Sequence, residues 1–263
     1  MIFKASKPTN RSSQFAVYAI VMLTAHWAGF GKKMKIVVCN TEWASGQKQE
    51  KLNDIVFSFD PDIVCATEVK KDFFLKEGNI IFSESDYGYE TVNKYKVSLW
   101  SKTPWLKYEK KLQNAPSGRF ISAFTEYNGI LINITGVCIP WKSAHVSTGN
   151  KNRKIWEDHV SYLDALKVYL EKQNSECQII CGDMNQRIPM VKQPEFVYSK
   201  LMQTLRKFNV ISRGVISGIN DVVIDHIAVK GFSAYELHGV SRIHNGIELT
   251  DHDLIFCNLN QNY

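Results

Sequence analysis

Seven polar side chains of this sequence lie where short apolar runs begin or end. They are the amides, carboxylates and imidazole of Asn40, Glu68, Asp183, Asn185, Asp225, Asp251 and His252. Loops at strand ends build functional sites on a rigid base, so these side chains can converge on one rim of a sheet. Their oxygen donors suit Mg²⁺ or Mn²⁺ rather than zinc. The pattern therefore predicts a divalent-cation site at a sheet rim.

Three of these residues are predicted to hold the cation. Asn40 ends the run VVCN, Glu68 ends VCATE, and Asp251 lies in LTDHD. A divalent ion beside a phosphate withdraws charge and stabilises a leaving oxygen. Taken alone, each residue is more often a turn residue or a solvated strand end than a ligand. Their order along the chain, together with the catalytic candidates below, favours a site.

The other four residues have the chemistry of phosphoester hydrolysis. In the segment IICGDMN, Asp183 can hold and polarise an attacking water, and Asn185 can donate a hydrogen bond to a phosphate oxygen. Side-chain alternation puts both on one side of the chain, with Met184 turned away. Asp225 can orient His252, which then acts as an acid/base or binds phosphoryl oxygens. The combination predicts metal-assisted hydrolysis.

The order of apolar patterns predicts an α/β core. A β-branched run at Met34–Asn40, helical spacing over 47–59 and a second run at 62–69 form a strand–helix–strand unit with parallel strands. Further strands are predicted over 97–101, 120–126, 130–139, Cys177–Asp183, 222–229 and 254–259, with a helix over 151–170. Asn128-Gly129 predicts a hairpin between two of the strands.

Five motifs, VVCNTEW, CATEV, GDMN, IDHIAV and TDH, occur in this order over about residues 34–260. In that order they resemble the endonuclease/exonuclease/phosphatase family. The resemblance implies a deoxyribonuclease I-like four-layered α/β sandwich, with two packed mixed β-sheets flanked by helices. It implies that Glu68 is the principal ligand for Mg²⁺ or Mn²⁺, helped by Asn40 and Asp251.

The same resemblance implies that Asp183 and Asn185 serve water and phosphate, and that Asp225 pairs with His252. Many family members also carry a histidine or tyrosine near the end of the strand before the long helix. That segment here reads GVCIPWKSAHV, whose polar aromatic candidates are Trp141 and His145.

Three residues are accordingly predicted to bind substrate. We expect His145 to face the substrate. Trp141 lies in the same segment and can stack on a base, with packing as the alternative. Arg119, in SGRFISA, can meet a phosphate, with a surface cation opening a strand as its alternative.

The charge is concentrated at the N-terminus. Residues 1–33 carry five of the lysines and arginines and no acid, which leaves +1 of the overall +6 for the rest. Basic residues there precede the apolar run 15–30, which allows a signal peptide, a membrane anchor or an extension without a folded role ahead of a natural start at Met34. We favour the last and predict a single catalytic phosphoesterase domain over 34–263.

The six cysteines form no CxxC pair and lie mostly in apolar strand-like runs. Free buried thiols are the simplest explanation, and they suit a reducing compartment. The expected location is therefore cytoplasmic, with membrane association or export as the alternative if the N-terminal extension is retained. His226 and His159 are expected to be structural, since each falls on a core-facing position.

Three functions compete for this site. The first is a nuclease cleaving phosphodiesters of DNA or RNA, with scattered cations near the predicted rim tracking the backbone. The second is a hydrolase of a small or lipid head-group phosphoester, which fits a nearly neutral body. The third is a binding protein with an inactive site, which retention of every charged position argues against. We predict the nuclease, acting as a monomer with no protein partner evident.

Overall fold

The computed structural model describes residues 33–89 and 91–261, leaving aside the Tyr235 side chain. The predicted N-terminal extension lies outside these residues apart from Lys33. Residues Met34–Tyr263 form one compact unit. In the part of the chain that is described, no helix is both long and apolar enough to cross a membrane.

Fourteen strands and three helices are described. The strands are β1 (Met34–Asn40), β2 (Ile63–Lys70), β3 (Asn79–Phe82), β4 (Lys94–Ser101), β5 (Trp105–Glu109), β6 (Phe120–Tyr127), β7 (Ile130–Cys138), β8 (Cys177–Asp183), β9 (Asn209–Val210), β10 (Asp225–Lys230), β11 (Phe232–Val240), β12 (Ile243–His244), β13 (Ile247–Glu248) and β14 (Leu254–Gln261). The helices are α1 (Gln47–Ser58), α2 (Glu157–Glu171) and α3 (Glu195–Thr204).

The strands form two six-stranded mixed sheets and a small hairpin. The first sheet has the order β11-β14-β1-β2-β4-β3, and the second has the order β5-β6-β7-β8-β10-β9. Each contains one parallel pair, β1 with β2 and β7 with β8, and each such pair is connected through a helix, α1 or α2. Two strand–helix–strand units, one in each sheet, therefore carry the predicted site residues Asn40, Glu68 and Asp183.

The burial of successive residues explains the layers. In β1, Ile36 and Val38 point into the core between the sheets, whereas Val37 and Cys39 pack towards Leu52 of α1. The second sheet repeats this two-residue alternation, with its outer face packed on α2 and α3. A helix layer, two facing sheets and a second helix layer make up the predicted four-layered sandwich, which is confirmed.

Most predicted elements are present, and the hairpin at Asn128-Gly129 is confirmed by the pairing of Tyr127 with Ile130. The long helix was predicted to begin too early. It begins at Glu157, because Trp156 has a left-handed φ of 69° and the apolar Ile155 before it is 60% exposed. All six cysteines are free and buried, as expected.

Several boundaries and elements differ from the sequence prediction, which did not include β3, β5, β9 or the β12–β13 hairpin. The strand predicted over 222–229 is β10, which begins only at Asp225, and β4 starts three residues before the predicted 97. Neither α3 nor β11 was predicted. Both lie at the periphery, where α3 covers the second sheet and β11 pairs along β14, so packing onto an existing layer decides their structure.

Candidate active site

Two aspartates face each other where β8 and β10 pair. The antiparallel register places Asp225 directly opposite Asp183, and both side chains are buried. Like charges directly opposite across a strand pair repel each other. This arrangement therefore needs a proton or a cation close to the two carboxylates.

His252 supplies that positive charge from the other sheet. It lies in the loop before β14, and its Nδ1 contacts Asp225 Oδ2. Asp183, Asp225 and His252 each present a ligand atom within 4.8 Å of the others. The three side chains thus join the rims of both sheets, and the predicted pairing of Asp225 with His252 is present in the geometry.

The environment shifts the acid–base properties of two members of this cluster. Burial, followed by the charge of Asp225, raises the pKa of Asp183 to about 7, although His252 acts in the opposite direction. Burial alone would lower the pKa of His252, but the adjacent Asp225 carboxylate outweighs it and raises that pKa to about 10. At neutral pH, His252 is therefore an imidazolium, and Asp183 is present in both its protonated and its ionised form.

Asn185 holds Asp183 through a local turn. Its backbone N–H donates to Asp183 Oδ1 at 2.8 Å, and its side-chain Nδ2 donates to Asp183 Oδ2 at 2.7 Å and to the Ile139 carbonyl at 2.8 Å. Met184 points into the core between these two residues, as the alternation predicted. An amide nitrogen has two N–H donors, so donation to a phosphate requires one of these contacts to be released.

The residue after Asn185 fixes this turn from below. Gln186 is buried, and its Nε2 lies 2.7 Å from His159 Nε2, while its carbonyl lies 2.9 Å from His226 Nε2. Burial lowers the pKa of both histidines to about 4, so both are neutral at physiological pH. Their expected structural role is supported by these contacts, which anchor the GDMN turn to α2 and β10.

Glu68 is paired with a residue that the sequence prediction missed. The β2–β4 register pairs the neighbours Thr67 with Val97 and Val69 with Tyr95, which leaves Glu68 facing Lys96. Lys96 Nζ lies 2.5 Å from Glu68 Oε1. The alternation of KYKVSLWS along β4 could have suggested a cation on this face, but only the register shows its partner.

The two other predicted metal ligands differ in their exposure. Asn40 is buried at the end of β1, where its Oδ1 accepts the Glu42 backbone N–H at 2.9 Å. Thr250 Oγ1 donates to the Asn40 carbonyl at 2.8 Å, which ties the TDH segment to this strand end. Asp251 is exposed, with Oδ1 3.7 Å from His252 Nε2.

The donor set fits a hard divalent cation. Glu68, Asn40 and Asp251 offer oxygen ligands, and the Asp183 and Asp225 carboxylates are near. Among the described residues, the buried Asp225 Oδ1 accepts no hydrogen bond, so this oxygen has capacity for a cation or a water. Glu68 already binds a cation in the form of the Lys96 ammonium. The geometric cluster of Asp183, Asp225 and His252 is nevertheless a different set from the three predicted ligands.

His145 lines another cleft. Its Nδ1 lies 3.0 Å from Asp158 Oδ2, and its ring packs 5.5 Å from that of Tyr89. The cleft that contains His145 and Asp158 shares no lining residue with the one that contains Asp225 and His252. We predicted that His145 faces the substrate. The separate clefts do not support a direct contact of His145 with a phosphate at the Asp183 cluster.

Arg119 and Trp141 both lie near the end of β7, where Cys138 pairs with Asp183. Arg119 is buried rather than on the surface, and its Nη1 donates to the Cys138 carbonyl at 3.4 Å. Trp141 is 40% exposed and follows Ile139, whose backbone N–H donates to the Asp183 carbonyl at 2.8 Å. Trp141 is therefore available at the rim, whereas Arg119 contributes charge from within.

No family model matches the chain, and no curated protein does. Solved structures do. An AP endonuclease from Archaeoglobus fulgidus is 16% identical, with 85% of this chain and 98% of that one covered at a TM-score of 0.65. The endonuclease/exonuclease/phosphatase from Bacteroides vulgatus is 13% identical; the match covers 88% of this chain and 100% of that one, with a TM-score of 0.63. Sphingomyelinase C from Streptomyces griseocarneus is 12% identical; the match covers 88% of this chain and 100% of that one, with a TM-score of 0.58.

The fold is deoxyribonuclease I-like. The resemblance inferred from the five motifs is thereby confirmed in the structure, which is similar to many endonuclease/exonuclease/phosphatase structures. In this deoxyribonuclease I-like sandwich, Asp183, Asp225 and His252 of three of the motifs meet where the rims of the two sheets approach each other.

Proposed function

We propose that this chain is a phosphoester hydrolase that uses Mg²⁺ or Mn²⁺ and cleaves nucleic-acid phosphodiesters. The observation that carries the proposal is the cluster of Asp183, Asp225 and His252 within 4.8 Å. It combines a carboxylate whose pKa lies near neutrality with an imidazolium held by a second carboxylate. Paired groups whose pKa values are pushed apart are typical of acid–base catalysis.

The residues have distinct tasks in the proposed reaction. Asp183 accepts a proton from water as the water oxygen bonds to phosphorus and the bond to the leaving oxygen breaks. Asn185 keeps the Asp183 carboxylate oriented. His252, charged and fixed by Asp225, stabilises the negative charge on the phosphoryl oxygens and can return a proton to the leaving oxygen. A divalent ion at Glu68, Asn40 and Asp251 supplies further charge stabilisation when bound.

A lysine over the Trp43 ring and an exposed tryptophan next to an exposed lysine support a nucleic-acid substrate. Lys94 Nζ lies over the half-buried Trp43 ring, 5.2 Å from its centroid. Trp141, exposed near the Asp183 strand end, is followed by the exposed Lys142. Aromatic rings that stack on bases, next to cations that meet phosphates, are the usual means of holding single-stranded nucleic acid.

One surface feature favours a lipid head-group phosphoester as the second candidate. The β12–β13 hairpin exposes the apolar side chains of Ile243 and Ile247. It begins directly after Arg242, which lines the same cleft as His252. Exposed apolar residues beside a catalytic cleft suit a lipid surface, and the nearly neutral body does not oppose it.

A panel of substrates tests both candidates. Purified protein with Mg²⁺ or Mn²⁺ is incubated with plasmid DNA, single-stranded DNA, RNA, phospholipid vesicles and a chromogenic phosphodiester. The proposal predicts cleavage of a polynucleotide that requires the metal and disappears in Asp183→Asn. Cleavage of the chromogenic diester alone would reject the nuclease and keep the hydrolase. Release of a head group from vesicles, lost in a double Ile243→Ser and Ile247→Ser variant, would establish the second candidate.

A further inference from the structure

Lys96 occupies the cation position next to Glu68. Its ammonium lies 2.5 Å from Glu68 Oε1, and the two side chains are only 13% and 22% exposed. A charge pair screened this little by solvent is stronger than a pair on the surface. The carboxylate that the proposed function assigns to a metal is therefore already neutralised by a residue of the chain itself.

Two aromatic rings hold the same ammonium. Lys96 Nζ lies 5.0 Å from the centroid of the Trp43 ring and 5.2 Å from that of the Tyr87 ring. The two rings lie nearly parallel at 15°, with centroids 6.1 Å apart. A cation over aromatic faces is attracted by them, so the two rings still attract the ammonium when its contact with Glu68 is lost.

We propose that Lys96 is a positioning residue that holds Glu68 in the metal-free protein and releases it when a divalent cation binds. The inference rests on the proposed function in taking Glu68 as a metal ligand. A metal ion and an ammonium within bonding distance of one carboxylate repel each other strongly in a site of low polarity. Binding of the metal and the Lys96–Glu68 contact therefore exclude each other, and Trp43 and Tyr87 keep the displaced ammonium nearby.

Lys94 provides a matched control on the same strand. It lies two residues from Lys96 on β4, and its Nζ is 5.2 Å from the centroid of the same Trp43 ring. Among the described residues, Lys94 forms no ion pair. Replacing Lys94 removes a nearby positive charge without freeing Glu68, so it separates a general charge effect from direct competition.

The test is Mn²⁺ binding to the full chain, measured by isothermal calorimetry and by the loss of the free-ion electron paramagnetic resonance signal. Lys96→Met should bind Mn²⁺ roughly tenfold more tightly than the parent protein, as expected for two competing ligands. Lys94→Met should change the dissociation constant by less than about twofold. A merely structural role for Lys96 predicts weaker binding, because a damaged site holds metal less well.

Unchanged or weaker Mn²⁺ binding by Lys96→Met, or an equal gain in Lys94→Met, would overturn the inference, as would a parent protein that binds no Mn²⁺. Lys96→Gln serves where the methionine variant does not fold, since glutamine removes the charge but keeps a donor for Glu68. Tighter binding without hydrolysis of any phosphoester would keep the inference and reject the proposed function. Hydrolysis of a phosphoester, together with unchanged Mn²⁺ binding by Lys96→Met, would keep the proposed function and reject the inference.

Discussion

Two strand-end carboxylates of this protein have opposite surroundings. Glu68, in the first sheet, has the Lys96 ammonium across the strand pair. Asp183, in the second sheet, has another carboxylate, Asp225, across its strand pair. The first strand pair thus places opposite charges face to face, and the second places like charges face to face.

The difference suits the two carboxylates to the two different roles proposed for them. A carboxylate that contacts an ammonium can exchange one cation for another. A buried carboxylate beside a second one binds a proton more readily, which raises the pKa of Asp183 to about 7. Glu68 is therefore suited to a metal, and Asp183 to accepting a proton from water.

The largest effect is expected from removing the base on the second sheet. Asp183→Asn keeps the shape but cannot accept a proton, so turnover with saturating metal should fall by roughly 10³-fold or more. Asp253→Asn is the control, because this carboxylate lines the same cleft but accepts the Arg242 backbone N–H at 2.9 Å. Similar losses in both variants would show that Asp183 has no special role.

The histidine that bridges the sheets should have the next largest effect. His252→Ala removes the charge that compensates Asp183 and Asp225, so turnover should fall by about 10²- to 10³-fold while the circular dichroism spectrum is retained. His238→Ala is a matched control, since His238 pairs with Glu236 on β11 away from the cleft. Near-normal turnover of His252→Ala would disprove the assignment.

Removing the carboxylate on the first sheet should affect the metal rather than the proton. Glu68→Gln lowers the charge at the cation position, so the Mg²⁺ concentration for half-maximal activity should rise by at least roughly tenfold. Glu42→Gln, an exposed carboxylate two residues after Asn40, should leave it unchanged. An identical Mg²⁺ titration for Glu68→Gln and the parent protein would exclude Glu68 as a ligand.

The pH dependence should report the two groups of the second sheet. Because the pKa of Asp183 is raised to about 7, the base is progressively lost below that pH, and the rate should fall about tenfold per pH unit there. Because the pKa of His252 is raised to about 10, its charge is lost only as the pH rises through that value. A rate that stays level down to pH 5 would contradict the assignment of Asp183 as base.

The smallest effect is expected on stability, which Asp183→Asn should increase. Folding raises the pKa of Asp183 from 3.8 to about 7, so its contribution to stability is full below the lower value and is lost as pH rises through 7. Asp183→Asn should therefore raise the melting temperature more at pH 8 than at pH 5, by about 2–4 °C for each kcal/mol gained. A lower melting temperature at pH 8 would show that the ionised carboxylate stabilises the fold.

The sequence predicted the strands that carry the site better than the segments between them. The strand Cys177–Asp183 was predicted at its observed boundaries because its apolar run Ile179–Cys181 is continuous and polar residues follow it directly. The helix α2 was predicted six residues too early, since apolar spacing alone does not reveal that Trp156 leaves the helical conformation. Lys96 went unnoticed because the strand was predicted to begin at residue 97, and because no local pattern identifies the partner of a lysine in a strand.

The sequence alone determines which functional side chains are present and the side of its own strand to which each one points. The two-residue period of a strand turns Met184 into the core and Asp183 and Asn185 towards the rim, and apolar runs bury all six cysteines. Only the tertiary structure decided which charges meet. The register of β8 with β10 sets Asp225 against Asp183, that of β2 with β4 sets Lys96 against Glu68, and the approach of the two sheets brings in His252. These pairings join residues distant in sequence, and no local pattern encodes a register between strands.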